Sequence, residues 1–126
     1  MARRAVLIVD DDPDIREVLA ETLETTGFDV ITAANGLDAL TVVRGMPNRP
    51  SVILLDLMMP IMDGYAFIEQ RSLDPALASI PTVIVTAGHG VDRDRLGGLQ
   101  IISKPFNVKH LVGVLEAVGS AHELPA

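Results

Sequence analysis

Short apolar runs recur along the chain and alternate with segments in which apolar residues return every three or four positions. The runs cover residues 5–9, 28–33, 52–55, 82–85 and 99–102. The continuous apolar run at residues 5–9 predicts a strand that is buried on both faces, and the other runs, which are mostly apolar, also predict strands. Apolar residues at helical spacing between the runs predict amphipathic helices. Strand and helix in regular succession indicate a parallel sheet with helices on both faces, and therefore an α/β domain.

Polar residues at the segment boundaries predict where several helices begin. The expected N-caps are Asp12, Asn35 and Asn107. Asp12 is followed by Pro13, which suits the first turn of a helix, and capping is the simplest role for Asp12. A third helix is expected from Tyr65 to about residue 71. The glycine-rich residues 88–98 leave room for only one short helix.

The length and composition suit one domain. The chain has 126 residues, of which 48% are hydrophobic, and it contains no cysteine. We expect a domain over residues 1–119 and a C-terminal tail over residues 120–126. The lack of cysteine excludes disulfides and thiolate metal sites. Because no apolar run approaches the roughly 18 residues that span a membrane, we expect a cytoplasmic protein.

The charge of the chain narrows the classes of ligand. The formal net charge is −7 at pH 7. A nucleic-acid-binding surface would need a basic face, so we expect no nucleic acid to bind this chain. An acidic chain is compatible with a divalent cation or with a basic patch on a protein partner.

Acidic residues are crowded at the end of the first predicted strand. Asp10, Asp11 and Asp12 follow one another directly after the apolar run. Like charges about 5 Å apart repel by roughly 3 kcal/mol per pair at an effective dielectric constant near 20. Folding alone does not require this crowding, so either the side chains point into water or a cation lies among them.

Polar side chains also follow three other predicted strands. These residues are Asp56, Thr86 and Lys104. Ligands of open α/β sheets bind beyond the carboxyl ends of the strands, so we expect these side chains to share one crevice with Asp10 and Asp11. Carboxylate oxygens suit Mg²⁺, which uses one or two carboxylates and keeps several waters. The sequence therefore predicts a magnesium site, to which Lys104 adds a further positive charge.

Four motifs in this order resemble the receiver domain of two-component response regulators. They are VDDD at residues 9–12, LLDLMMPIMDG at 54–64, VTA at 85–87 and SKPF at 103–106. Each motif alone is weak, but each follows a predicted strand, and the resemblance covers about residues 4–119. It implies a flavodoxin-like, doubly wound (βα)5 fold with a parallel five-stranded sheet in the order 2-1-3-4-5. It also implies a signalling domain rather than a metabolic enzyme.

The resemblance implies a role for each acidic residue. Asp56 is the expected phosphoacceptor, which attacks a phosphohistidine to form an aspartyl phosphate. Asp11 and Asp56 are expected to bind Mg²⁺ directly, together with the backbone carbonyl of Met58. Asp10 is expected to act through a metal-bound water. Mn²⁺ is expected to be able to replace Mg²⁺.

The resemblance also implies roles for the residues at the later strand ends. Lys104 is expected to pair with a phosphoryl oxygen, and a cis bond before Pro105 is expected to aim its side chain. Thr86 is expected to rotate towards the phosphoryl group, and small Ala87 to leave that group accessible. Such movement would change partner binding. The expected partners are a sensor histidine kinase or phosphotransfer protein and a downstream effector, and the domain is expected to be a monomer or a weak phosphorylation-dependent dimer.

Two features of the sequence depart from the receiver pattern. Receivers usually carry an aromatic residue three positions before the lysine, where this chain has Ile101. The interval from Thr86 to Lys104 is also shorter than usual, by about one helical turn. Gly97 and Gly98 weaken what remains of the fourth helix. We therefore expect a short, shifted or irregular fourth helix and an altered coupling to partners.

Two other functions are compatible with parts of the pattern. A degenerate receiver could bind partners without phosphorylation, as Ile101 and the short fourth helix would allow. A Mg²⁺-dependent phosphohydrolase often has a second aspartate two positions after its nucleophile, whereas Met58 stands there in this chain. No DNA-binding segment is visible after residue 119, so we expect either a stand-alone receiver or part of a hybrid kinase or multidomain regulator.

Overall fold

The computed structural model describes residues 4–87 and 90–123. Within them, the strands are β1 Ala5–Val9, β2 Asp29–Ala33, β3 Val52–Asp56, β4 Thr82–Thr86 and β5 Gln100–Ser103. The helices are α1 Pro13–Thr25, α2 Gly36–Gly45, α3 Gly64–Leu73, α4 Pro75–Ala78, α5 Arg93–Leu96 and α6 Val108–Glu123. The predicted alternation of strands and helices is therefore confirmed.

The five strands form one parallel sheet in the order β2-β1-β3-β4-β5, as the resemblance implied. The strand order reverses at β1, which pairs with β2 on one side and β3 on the other. In open α/β sheets, the crevice at such a reversal is the usual place for a ligand. The topology therefore predicts a ligand site at the carboxyl ends of β1 and β3.

Helices cover both faces of the sheet because successive strand residues point to opposite sides. Leu7 and Val9 pack in one core cluster with residues of α2 and α3. Val6 and Ile8 pack in the other cluster with residues of α1 and α6. Full burial of each such side chain contributes about 1.5–3 kcal/mol, so both layers hold the strand ends in place.

The predicted N-caps are confirmed. The Asp12 carboxylate accepts from the Asp14 amide at 2.9 Å, and the Asn35 side chain accepts from the Asp38 amide at 2.9 Å. The Asn107 side chain accepts from the His110 amide at 3.2 Å. Each bond satisfies an amide that the first helical turn would otherwise leave without a partner.

One short helix was not predicted. α4 follows α3 directly, and the Asp74 carboxylate caps it by accepting from the Ala76 amide at 3.0 Å. Asp74 is followed by Pro75, the same pair of residues that begins α1 at Asp12 and Pro13. The signal was therefore present in the sequence, but four residues are too few to show helical periodicity.

Several boundaries differ from the prediction, and β5 covers Gln100–Ser103 instead of residues 99–102. β2 begins at Asp29, so buried Phe28 precedes the strand. α3 is longer at both ends than residues 65–71. α6 continues to Glu123, although the sequence after Gly119 shows no apolar pattern, because extending an existing helix needs no new nucleus. The division into a domain over residues 1–119 and a tail over residues 120–126 stays a prediction.

The short fourth helix of the prediction is confirmed as α5, which has four residues. It ends at Gly97 and Gly98, whose φ angles are 59° and 83°. Glycine adopts this left-handed conformation without steric cost, so the pair terminates the helix. Residues 88 and 89, at the start of the predicted polar segment, lie outside the described residues.

Candidate functional site

Three carboxylates meet at the carboxyl ends of β1 and β3. One oxygen from each of Asp10, Asp11 and Asp56 lies within 4.8 Å of the other two. Asp10 and Asp56 are buried, with 4% and 7% of their surface exposed, whereas Asp11 is exposed. The sheet therefore brings together the three acids that the sequence placed in one crevice.

Asp10 is fixed by the turn that joins β1 to α1. Its Oδ1 accepts from the Asp12 amide at 3.0 Å. Its backbone carbonyl accepts from the Arg16 guanidinium at 2.6 Å, and its amide donates to the Ala33 carbonyl at 3.2 Å. Sequence reasoning did not find Arg16, because a helical arginine one turn after a cap gives no distinctive pattern.

Asp56 is the last residue of β3, and its side chain faces the same crevice. Its Oδ1 accepts from the Met58 amide at 3.3 Å. The loop after it returns closely to the strand, since the Gly64 amide donates to the Leu57 carbonyl at 2.9 Å. A Cβ on Gly64 would lie 2.7 Å from the Asp56 carbonyl oxygen, so this approach requires glycine.

Lys104 joins the two buried acids. Its Nζ lies 3.4 Å from Asp10 Oδ2 and 3.7 Å from Asp56 Oδ2. Its amide donates to the Thr86 carbonyl at 2.7 Å, and the bond to Pro105 is cis, as the resemblance implied. The predicted meeting of the lysine with the carboxylates is therefore present in the fold.

The charges of the site are unequal in number, with three carboxylates around one ammonium. Burial raises the pKa of Asp56, and the nearby Asp10 carboxylate raises it further. Lys104 and the hydrogen bond from the Met58 amide lower the pKa of Asp56, but they do not cancel the rise. A second cation in the crevice would relieve this repulsion, so the electrostatics favour a bound metal ion.

The other predicted site residues lie around the crevice. Thr86 ends β4 and is buried, and Ala87 after it is exposed. Met58 is 71% exposed, and its backbone amide donates to Asp56 Oδ1. Ile101 pairs with Ile84 in the sheet and packs, half buried, against the core cluster that contains β1 residue Leu7.

Comparison with known proteins identifies the family. The response regulator receiver domain family matches residues 6–116. The chain belongs to this family. The match includes the three clustered aspartates, Thr86 and Lys104, and it agrees with the sheet order described above.

Solved structures of similar receiver domains share the whole fold. The signal receiver domain of a signal transduction histidine kinase from Syntrophus aciditrophicus has a TM-score of 0.84 and 29% identity, covering 99% of this chain and 96% of that one. The receiver domain of sensor histidine kinase PA1611 from Pseudomonas aeruginosa PAO1 also has a TM-score of 0.84, with 25% identity over 94% of this chain and 99% of that one. That protein holds a magnesium ion in its active-site cleft.

Curated relatives of this receiver include longer regulators. A probable transcriptional regulator, ycf27 of Porphyridium aerugineum, is 34% identical over 123 residues, which cover 94% of this chain and 49% of the relative. The chain thus spans about half the length of the transcriptional regulators that it matches. Within residues 4–87 and 90–123, no helix is long and apolar enough to cross a membrane.

Proposed function

We propose that this receiver domain accepts a phosphoryl group on Asp56 from a phosphohistidine of a sensor histidine kinase or phosphotransfer protein. The observation that carries the proposal is the arrangement of Asp56, a buried carboxylate between two further aspartates and the ammonium of Lys104. A solvated surface aspartate would need none of these neighbours. The arrangement instead supplies a nucleophile together with groups that stabilise a transferring phosphoryl group.

The residues of the crevice fit Mg²⁺ as the resident ion. Asp11 and Asp56 would bind it directly with the backbone carbonyl of Met58, and Asp10 would act through a bound water. Their carboxylate oxygens lie within 4.8 Å of one another, and oxygen ligands are those that Mg²⁺ prefers. When bound, the ion neutralises charge on the phosphoryl oxygens, and Mn²⁺ is expected to be able to take its place.

The transfer exchanges one bond for another. An oxygen of the Asp56 carboxylate attacks phosphorus, the P–N bond of the phosphohistidine breaks, and its electron pair leaves with the imidazole nitrogen. Lys104 Nζ, already 3.7 Å from Asp56 Oδ2, donates to a phosphoryl oxygen. The Met58 amide holds the other Asp56 oxygen, which limits rotation of the nucleophile.

The proposed output is a change in protein partners. Thr86 would turn towards the phosphoryl group, and exposed Ala87 would leave room for the phosphodonor. The effector would bind a surface that this movement alters. Because the transcriptional regulators that match this chain are about twice its length, any DNA binding would belong to a region outside it.

The test is the intact mass of the protein after incubation with acetyl phosphate, with and without Mg²⁺. We expect the wild type to gain one phosphoryl group only with Mg²⁺, and Asp56→Asn to gain none. Asp94→Asn, an exposed change on α5, is the matched control and should behave as the wild type. No gain in the wild type under any of these conditions would contradict the proposal.

The degenerate receiver remains the second candidate, because Ile101 and the four-residue α5 favour an altered output. It predicts partner binding that is the same for the wild type and for Asp56→Asn. A phosphohydrolase is less well supported, since Met58 offers no second carboxylate and its side chain is exposed.

A further inference from the structure

One cluster of side chains outside the crevice links α5 to α3. The Tyr65 hydroxyl accepts from the Asp92 amide at 2.8 Å. The Arg95 guanidinium lies over the Tyr65 ring, 4.5 Å from its centroid, and donates to Glu69 Oε1 at 2.7 Å. Tyr65 and Glu69 are one helical turn apart on α3, so they present one surface to α5.

α5 depends on this cluster because it has few contacts of its own. Its four residues form a single turn, and Leu96 is its only buried residue. Gly97 and Gly98 follow at positive φ, so Leu99 is the first residue after the helix whose side chain packs against the core. A single helical turn is unstable alone, so its position is set by what it packs against.

Tyr65 is in turn fixed to the strand end that carries Asp56. It follows Gly64, whose amide donates to the Leu57 carbonyl and whose Cα lies close to Asp56. Tyr65 also packs at the edge of the core cluster that contains Leu57. Tyr65 is therefore fixed relative to the crevice. Asp92, its partner before α5, lies only six positions after Thr86 in the sequence.

We propose that Tyr65, Glu69 and Arg95 form a clasp that holds α5 in the position of the unmodified domain and opposes its movement when Asp56 is phosphorylated. This inference rests on the proposed phosphorylation of Asp56. A movement of Thr86 towards a phosphoryl group would displace α5 relative to Tyr65, which is fixed on α3. A contact that exists only in the unmodified state shifts the equilibrium towards that state.

The clasp offers a coupling route that does not use an aromatic side chain at position 101. Ile101 lies in β5 among the residues packed on the same core cluster as Tyr65. A branched aliphatic side chain at this position cannot form a hydrogen bond to a neighbouring element. The ring and hydroxyl of Tyr65 provide that polar link from α3 instead.

The test uses two readouts on Tyr65→Phe, which keeps the ring and removes the hydroxyl. The first is amide hydrogen exchange of Asp92, Arg95 and Leu99 in the unmodified protein. We expect exchange about fivefold faster than in the wild type, the ratio that corresponds to one ordinary hydrogen bond. Arg93→Gln, on the same short helix, is the matched control and should leave these rates unchanged.

The second readout is the apparent affinity for beryllium fluoride with Mg²⁺, a phosphoryl mimic at an aspartate. We expect Tyr65→Phe to bind the mimic about fivefold more tightly, because the clasp no longer opposes the bound state. Arg95→Gln should shift the affinity in the same direction but less, since exposed ion pairs contribute little.

Unchanged affinity in Tyr65→Phe, while the wild type binds the mimic, would overturn the clasp as a coupling device. Unchanged exchange rates would overturn the clasp itself. If the wild type fails to bind the mimic, the phosphoacceptor proposal and the coupling role fail together. The exchange rates of the unmodified protein would still show whether Tyr65 holds α5, so the two failures are distinguishable.

Discussion

Asp56 ends a strand whose five residues are all buried, whereas α5 has four residues of which only Leu96 is buried. The crevice is held by the sheet, by two helical layers and by backbone hydrogen bonds. α5 is held by one buried side chain, Leu96, and by the polar contacts of Asp92 and Arg95 with α3. The acidic crevice therefore lies on the rigid part of the domain, whereas α5 lies on a part with few buried contacts, where local opening costs less free energy.

Truncation of a buried leucine in each region should change the free energy of unfolding most. Leu55→Ala, in β3 beside Asp56, should lower the free energy of unfolding by about 4 kcal/mol, because the packed sheet cannot collapse around the cavity. Leu96→Ala, in α5, should cost about 2 kcal/mol, because one helical turn can shift inward. Urea denaturation gives both values, and equal losses would remove the proposed contrast in rigidity.

The next effect tests the close approach of the loop to the strand end. Gly64→Ala should cost about 3 kcal/mol, because its Cβ would meet the backbone of Asp56 and Leu57, which cannot rotate away. Gly45→Ala is the matched control, since no atom lies within 4 Å of a Cβ there and alanine favours the helix. A Gly64→Ala variant as stable as the wild type would show that this loop can move to accommodate the added methyl group.

Mg²⁺ should raise the free energy of unfolding by binding in the crevice. Substitutions in α5 should not change this rise. At a Mg²⁺ concentration of 100 times its Kd, the free energy of unfolding should rise by about 2.7 kcal/mol. Asp11→Asn should lose most of this rise, because it removes an exposed carboxylate of the cluster without disturbing the core. Asp94→Asn should keep it. An equal gain in Asp11→Asn would place the ion elsewhere.

The pH dependence of stability tests the electrostatics of the crevice without metal. Burial and Asp10 raise the pKa of Asp56 in the folded state, so ionised Asp56 opposes folding at neutral pH. Asp56→Asn should therefore have a higher Tm than the wild type at pH 7. This advantage should disappear as the pH falls through the raised folded pKa towards the unfolded value of about 3.9. A difference that grows in acid would have the wrong sign.

The smallest effect concerns the glycines after α5. Gly97→Ala should cost about 1 kcal/mol, because its φ of 59° is a left-handed conformation in which a Cβ is unfavourable. The change should leave Mg²⁺ binding unaltered, since the crevice is built on other elements. Denaturation and Mg²⁺ titration of one preparation measure both quantities, and weaker Mg²⁺ binding would show that the metal site depends on the end of α5.

The sequence predicted most of the crevice because the acids stand at the ends of buried strands or within two residues after them. An apolar run such as residues 52–55 fixes both the strand and its end, and the topology then places Asp56 near Asp10. The contacts of Tyr65 with Asp92 and Arg95 could not be predicted. They join residues 27 or more positions apart on elements without a long period, and surface pairing leaves no pattern in the sequence.

Boundary errors have similar local causes. α4 was missed because Asp74 and Pro75 mark a helix too short to show an amphipathic face. The end of α6 was placed early because the residues after Gly119 lack apolar periodicity although the helix continues. For α4 the sequence holds a capping signal in Asp74 and Pro75. Residues 119–123 include glycine and serine, which are weak helix formers, so the extension of α6 has no signal in the sequence.

The position of the phosphoryl group on the chain would show directly whether Asp56 is the phosphoacceptor. The protein would be incubated with acetyl phosphate and Mg²⁺ and reduced with borohydride, which converts an aspartyl phosphate to homoserine. Peptide mass spectrometry would then locate the reduced residue. We predict homoserine at position 56 and at no other acidic position. Reduction at Asp10 or Asp11 instead, or at no residue, would contradict the assignment of Asp56 as the phosphoacceptor.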